Sequence, residues 1–476
     1  MLKKAFLTNS SGILLSRILG FLRDIMMAYI LGAGIYTDIF TTASRLPNLF
    51  RRVFAEGAFT QSFFPSFVSS KHKGVFLAGI FVIFCGIIMI LSLIVMVFTP
   101  TITKLLASGF SDTEIAIATP IVAINFWYLI LIFCATFFSV ILQYKHIFWV
   151  GSYSSALLNL AMILALFYAR DEEDLMIIYT LSYGVLIGGV AQIALHFYPL
   201  YAHGLLRLLA LGFKKSKILF SRTQAAAYRQ EIRHFFKQFI PAIIGGSTIP
   251  ILSFIETTIA SQLGAGSISY LYYANRIFQL PLALFAIAIS TALFPLVAKA
   301  IKNQEQTQAL KAMKNAFWFL CITLCVCTLG GIMLKDEIIW LLFERGSFGK
   351  QDTQIVANVF ACYLIGLLPF GLSRIFSLWL YSHHLQGKAA KFSVIALASG
   401  TAIAIASYQT FGVLGIAFSS SCAGFILLFL NAKAIGKENF LSIIAHKKAL
   451  MILPIILLLE GLILYGFKLL IQGYIQ

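Results

Sequence analysis

Residues 16–34 read SRILGFLRDIMMAYILGAG: an apolar run of helix-spanning length with Arg17, Arg23 and Asp24 set well inside it. Hydrocarbon penalises such charges, so they must face something other than lipid. The rest of the chain says that lipid is the right frame. Of 476 residues, 60% are hydrophobic, 11% are charged and 44 are Phe, and the mean hydropathy is +0.90, outside the soluble range. Uncharged runs recur at 75–99, 115–144, 146–169, 175–206, 277–298 and 315–334, each enough to cross a hydrocarbon core of roughly 30 Å as a helix. A closed barrel would instead show short alternating segments. The fold class is therefore an all-α polytopic membrane protein.

Apolar runs between polar breaks give about thirteen transmembrane helices, near 8–31, 35–56, 74–99, 115–143, 147–168, 175–200, 238–262, 267–298, 315–334, 354–381, 392–408, 412–432 and 449–471. The N-terminus MLKKAFLTNSSGILLSR has a basic start but no small-residue cleavage site, so it reads as a retained first span. With that end in the cytoplasm, 23 of the 36 Lys and Arg fall on cytoplasmic loops, six on the opposite loops, and seven within spans. That asymmetry fixes the orientation. It also reassigns the net charge of +18: the partners it indicates are membrane lipids, not nucleic acid. The seven Cys lie in apolar runs, and CITLCVC (321–327) has no His or acidic neighbours to complete a metal site. They read as packing residues.

Four segments follow: an N-terminal lobe, 1–202; a basic cytoplasmic or interfacial linker, 203–237; a C-terminal lobe, 238–432; and a C-terminal extra helix with an interfacial segment, 433–476. The lobes look duplicated. LGAG occurs at 31–34 and 263–266, Arg45 matches Arg276 at a shift of 231, Phe64-Pro65 matches Phe294-Pro295 at 230, and the 232 shift pairs Asp24 with Glu256. Six spans lie between the copies, so both enter the membrane in the same sense, as parallel repeats do.

All seven intramembrane cations are arginines: Arg17, Arg23, Arg45, Arg51, Arg52, Arg276 and Arg374. At 100° per residue, Arg17 and Asp24 share a helix face, and Asp38, Arg45, Arg52 and Glu56 form a second stripe with Arg51 beside it. The spacings offer three helix-gluing ion pairs, Arg17–Asp24, Asp38–Arg45 and Arg52–Glu56. They do not absorb the charge, because with Arg276 and Glu256 counted the set keeps an excess of two positive charges. Guanidinium stays protonated and binds phosphate in a bidentate fork, so an arginine-only surplus suits a phosphate-bearing ligand in a central cationic cavity. Prolines at 47, 65, 241, 250, 281 and 295 would kink the surrounding helices.

SRILGFLRD, LGAG, RLPNLFRRVFAEGAFTQSFFP (45–65) and GAGSISYLYYANRIFQLP (264–281) resemble the lipid II flippase family MurJ (MviN), of the multidrug/oligosaccharidyl-lipid/polysaccharide exporter superfamily. The resemblance implies a transporter, not an enzyme, that moves undecaprenyl-pyrophosphate-linked disaccharide pentapeptide (lipid II) across the bacterial cytoplasmic (inner) membrane for peptidoglycan synthesis and cell shape. It implies alternating access, substrate-binding arginines at Arg17, Arg23, Arg51 and Arg276, and supporting charges at Asp24, Asp38, Arg45, Arg52, Glu56 and Glu256. It implies no cofactor, with coupling to the membrane potential or to an ion of unknown identity. The family usually has fourteen spans, the last two forming a tail groove; after 432 this chain has length for one clear span and the interfacial NFLSIIAHKK. Within the tenth span, the stretch YLIGLLPFGLSRIFSLWLY (363–381) offers Arg374 and no Asp or Asn, so a sodium site is not expected. Two alternatives stand beside this reading: another exporter of the same superfamily, for polyprenyl-linked oligosaccharide or drugs, and a polytopic polyprenyl-phosphate glycosyltransferase, whose acids would have to come from ARDEED (169–174).

Overall fold

A computed structural model of the chain describes residues 2–54, 58–218, 222–383 and 385–475. It divides into two compact units, Met1–Thr258 and Ile259–Gln476, and among the described residues there is no strand. The first unit holds α1 (Leu2–Leu31), α2 (Ile35–Phe54), α3 (Ala58–Ser69), α4 (Lys73–Val97), α5 (Thr99–Leu106), α6 (Asp112–Phe126), α7 (Tyr128–Tyr144), α8 (Trp149–Tyr168), α9 (Asp174–Ala202), α10 (Leu205–Ile218) and nearly all of α11 (Arg222–Ala260). The second holds α12 (Ser267–Pro281), α13 (Ala288–Lys302), α14 (Gln306–Met333), α15 (Lys335–Phe343), α16 (Lys350–Ile365), α17 (Leu367–Ser382), α18 (Gln386–Ile435), α19 (Lys437–Ile444) and α20 (Lys447–Ile475).

Nine helical runs among the described residues are long and apolar enough to cross a bilayer. The expected thirteen do not map onto them one for one. Helices α1, α2 and α11 fall outside that set, while Gln386–Ile435 contains two expected spans, 392–408 and 412–432. Gly412 divides that run with φ 58° and ψ −140°, a conformation glycine adopts without a Cβ clash. The fourth span is likewise two helices, α6 and α7, whose junction is tightened by a Trp127 N–H donated to Ile124 O at 3.2 Å. In the second unit, α16 and α17 repeat the device, with the Gly366 N–H on Tyr363 O at 2.9 Å.

The duplicated LGAG does the same work in both units. Gly32 (φ 64°) and Gly264 (φ 96°) take the left-handed conformation after a helix ends. The next helices, α2 and α12, start at Ile35 and Ser267, the same 232 positions apart.

The first unit is built on phenylalanine. Phe59, Phe63 and Phe67, spaced i, i+4, i+8 on α3, are fully buried. Phe59 packs on Phe84 of α4 at 5.0 Å and on Phe133 of α7 at 5.5 Å, and Phe239 of α11 meets Phe84 at 5.2 Å. Phe59 and Phe63 of the conspicuous 45–65 motif are thus core. The basic segment 203–237 travels with this unit: α10 lies along α4, and Phe235, with Phe239 just beyond the segment, is buried in the aromatic cluster. Glu231 of α11 accepts from Ser70 Oγ at 2.8 Å and from the Lys71 N–H at 3.3 Å.

Apolar side chains gain little by leaving lipid for one another, so small residues carry the close helix contacts. Gly188 of α9 faces Leu158 of α8; a Cβ added there would lie 3.0 Å from the Leu158 Cα. In the second unit, α20 is tied to the α14–α15 corner by Lys468, 3.2 Å from Glu337 and 3.3 Å from Met333 O. Gly188→Ala is therefore expected to destabilise the chain by about 1–3 kcal/mol through overpacking. Gly86→Ala, which meets open space on α4, should be neutral or stabilise by up to about 1 kcal/mol through helix propensity. Thermal unfolding midpoints in detergent check the opposite signs.

Candidate functional site

Helices α1 and α8 pack side by side and run parallel. Near their first turns Asn9 and Ser152 share a hydrogen bond, and Ser11 Oγ lies 2.9 Å from the Tyr153 hydroxyl. Deeper in, Asn159 Nδ2 donates to Ser16 O at 3.0 Å. Parallel packing puts the N-terminus and the Lys145 loop on one side of the membrane, the side to which the positive-charge distribution assigns both.

The charged pair sits about two turns beyond Ser16 on α1. Arg23 directs Nη2 and Nε at Asp24 Oδ1, at 2.6 and 3.0 Å, and Nη1 at Asn159 Oδ1, at 3.0 Å. Met162 Sδ lies 3.6 Å from Nη1. The Asp24 side chain is fully buried and that of Arg23 is 15% exposed. A buried ion pair must recover a desolvation penalty of several kcal/mol per ion. Here three charge-assisted hydrogen bonds contribute to that recovery and orient the guanidinium plane.

This corrects the expected pairing of Asp24. It pairs with Arg23, the adjacent residue, while Arg17 is exposed on α1. A helical-wheel angle treats a side chain as a radial spoke, but arginine's long stem lets the head swing round to an adjacent carboxylate. Asn159, which completes the clamp, went unread. Its signal was a carboxamide inside the apolar run 149–168, and such a group at bilayer depth needs partners.

The other expected residues fall as follows. Asp38 on α2 is fully buried beside Thr37, whose hydroxyl donates to Gly32 O at 2.9 Å. Arg45 and Arg51, on the same helix, and Glu256 of α11 are half-buried. Arg276 belongs to the second unit, half-buried on α12 between Asn275 and Ile277. Just beyond it, residues Leu282–Ile287 form a wider π turn, a local widening of the helix common at functional positions. At the repeat shift of 231 these residues match 51–56, the arginine end of α2. Glu56 lies outside the described residues, and so does the side chain of Arg52.

Sequence reading also missed a second polar system within the first unit. Asn125 Nδ2 donates to Ser182 Oγ at 2.8 Å, the Tyr128 hydroxyl to Gln192 Oε1 at 3.1 Å, and Gln192 Nε2 to Ser154 O at 3.2 Å. His196 Nδ1 closes on Gln192 O at 2.7 Å. Together these bonds tie α6, α7 and α8 to α9. The acids an enzyme would draw on are solvated: Asp171, Glu172, Glu173 and Asp174 are all exposed, with Asp171 in an open pair with Arg170. Among the described residues no group of three or more His, Cys, Asp or Glu is placed to hold a metal ion.

The sequence model of the family described as Lipid II flippase MurJ matches residues 27–476. A protein of Helicobacter pylori strain J99 named "Probable lipid II flippase MurJ" is 52% identical over 445 residues, covering 93% of this chain and 97% of that protein. A Rhizobium tropici protein of the same name is 30% identical over 436 residues, 89% of this chain and 79% of its own length. Among solved structures, one described as "Lipid II flippase MurJ, inward closed conformation" superposes with a TM-score of 0.78 at 24% identity, covering 98% of this chain and 99% of that one. An inward-facing multidrug-resistance transporter of the MATE family and MOP superfamily superposes at 0.64 and 12% identity, over 92% and 94%. These superpositions establish a shared fold.

Asn159→Ala removes one acceptor from Arg23 and the donor to Ser16 O. It is expected to cost about 1–3 kcal/mol of stability, the penalty for a buried polar partner left unmet. Arg170→Ala, at an exposed pair, should change stability by less than about 1 kcal/mol. Urea or thermal unfolding of both variants checks the contrast; equal midpoints would remove the clamp from any structural role.

Proposed function

From its membership of the lipid II flippase MurJ family, to which this chain belongs, we infer that it is a multi-pass membrane transporter that moves lipid II between leaflets, not an enzyme. The finer reading places it in the bacterial cytoplasmic membrane with its N-terminus in the cytoplasm. There it carries undecaprenyl-pyrophosphate-linked disaccharide pentapeptide outward for peptidoglycan synthesis.

In this reading Arg17, Arg23, Arg51 and Arg276 grip the diphosphate, and Asp24, Asp38, Arg45, Arg52, Glu56 and Glu256 hold them in place and set their number. The observation that carries it is the Arg23–Asp24–Asn159 clamp: a guanidinium inside a membrane helix, fixed in orientation by three hydrogen bonds. Fixing the fork in advance lowers the ordering cost when an anion arrives. Arginine suits the task because it stays protonated at any depth and matches the paired oxygens of a phosphate.

The polyprenyl tail stays in lipid while the headgroup passes through the protein by alternating access. No cofactor takes part. An inside-negative potential drives the step: each charge carried through 100 mV is worth about 2.3 kcal/mol, which pushes the anionic headgroup outward and returns the emptied, net-cationic site inward.

The test is lipid II translocation in vesicles containing the reconstituted chain. Arg17→Lys, Arg23→Lys and Arg276→Lys keep the charge and lose the fork, and each should slow translocation about ten-fold or more, a barrier increase of about 1.4 kcal/mol. Expression and folding should be unchanged. An imposed inside-negative potential should accelerate the unmodified chain. Normal rates in all three variants would overturn the assignment.

A further inference from the structure

A groove runs between α1, α8 and α9 on the first unit, enclosing about 430 Å3. Its walls are Leu15 and Leu19 of α1, Leu157 and Leu160 of α8, and Leu195 of α9, with Trp149 and Tyr153 at one end. The floor is low because Gly12 and Ala156 carry little or no side chain. A Cβ at Gly12 would lie 2.7 Å from the Tyr153 ring. Leu15, Leu160 and Trp149 are each at least 40% exposed, so the groove opens toward the surroundings of the unit.

Three features say what fits it. The first is length. The lining runs from Thr8 to Leu19 on α1 and from Trp149 to Leu160 on α8, twelve residues on each parallel helix, or about 16 Å at the α-helical rise. That is half of a hydrocarbon core of roughly 30 Å, the depth of one leaflet. The second is the inner end. The next turn of α1 carries Arg23, bonded to Asn159 and Met162 of α8, a polar stop for an apolar chain. The third is the outer end. Trp149 and Tyr153 meet edge to face at 6.4 Å, the aromatic pairing favoured at the membrane–water boundary. The loop leading into Trp149 exposes Lys145 and His146, and no acid lines the groove.

We propose that this groove is a binding site for one anionic phospholipid of the leaflet on the Lys145 side, with an acyl chain between α1, α8 and α9 and the phosphate beside the Lys145 loop. The depth admits a chain that spans a single leaflet, and the cations at the mouth select a negative headgroup. The site is separate from transport: the lipid wedges the α1–α8 pair on the face next to the arginine clamp and stays in place while substrate passes.

The test uses the full chain, purified, stripped of lipid and titrated with phosphatidylglycerol or with phosphatidylcholine of the same acyl chains, with bound lipid counted by native mass spectrometry. One phosphatidylglycerol should be retained in preference to phosphatidylcholine. Leu160→Trp, which fills the groove from its open wall, should abolish retention. Lys145→Gln, at an exposed position that leaves the fold alone, should cut the preference about five-fold, the equivalent of about 1 kcal/mol per lysine near an anionic surface. Equal retention of the two lipids, or a preference unmoved by Lys145→Gln, overturns the proposal even if Leu160→Trp fails to fold. Displacement of the bound lipid by undecaprenyl phosphate also overturns it, by giving the groove to the substrate's tail.

Discussion

A guanidinium in hydrocarbon is so costly that each intramembrane arginine must be given a polar environment, and the first unit is organised around doing so. On α1, Arg23 is held by the carboxylate beside it and by a carboxamide from α8, with Asp24 wholly enclosed. The same α8 carboxamide bonds back to the α1 backbone at Ser16, so the clamp and the helix–helix contact are one structure. Packing α1 parallel to α8 follows from it, and that packing sets the side of the membrane shared by the N-terminus and the Lys145 loop.

Around this polar seam the remaining order comes from shape. Rings from α3, α4, α7 and α11 interlock edge to face and stacked, an arrangement that gains energy from geometry beyond area burial. Small residues let α8 and α9 approach closely. A buried chain of amide, hydroxyl and imidazole groups then ties α9 to its neighbours. In lipid, where apolar contact alone does not hold helices together, these specific contacts supply the cohesion. The extension of α11 from the basic segment 222–237 into the apolar run that follows explains why the first unit claims residues that charge alone would give to a linker.

Much of this was legible in the sequence. Hydropathy marked the membrane helices because a spanning segment must be apolar for about 20 residues, and LGAG marked the repeat because a left-handed turn needs glycine whatever surrounds it. The charged stripe could be read for sign and residue type, and the surplus of arginine is what directs attention to phosphate. What could not be read was pairing. Asp24 shares its helix face with Arg17 yet bonds to Arg23, since side-chain reach outweighs wheel angle. Asn159 sits 136 positions from its partner, and no local pattern encodes that contact. One helix interruption was hidden: Trp127 lies inside the expected span 115–143, and the π turn after Pro281 has no compositional mark, whereas the break at Gly412 falls at the boundary read between 392–408 and 412–432.

In the transport proposed here, arginines select the diphosphate over any other feature of the lipid. The most direct measurement is the affinity of the purified chain for three ligands that share one polyprenyl tail: the diphosphate, the monophosphate and the free alcohol, in identical micelles. Affinity should fall in that order, with the diphosphate at least about ten-fold tighter than the alcohol, as expected when one or more charge-assisted hydrogen bonds are lost. Equal affinity for all three would mean that the protein recognises the tail alone and that the arginines take no part in gripping the headgroup.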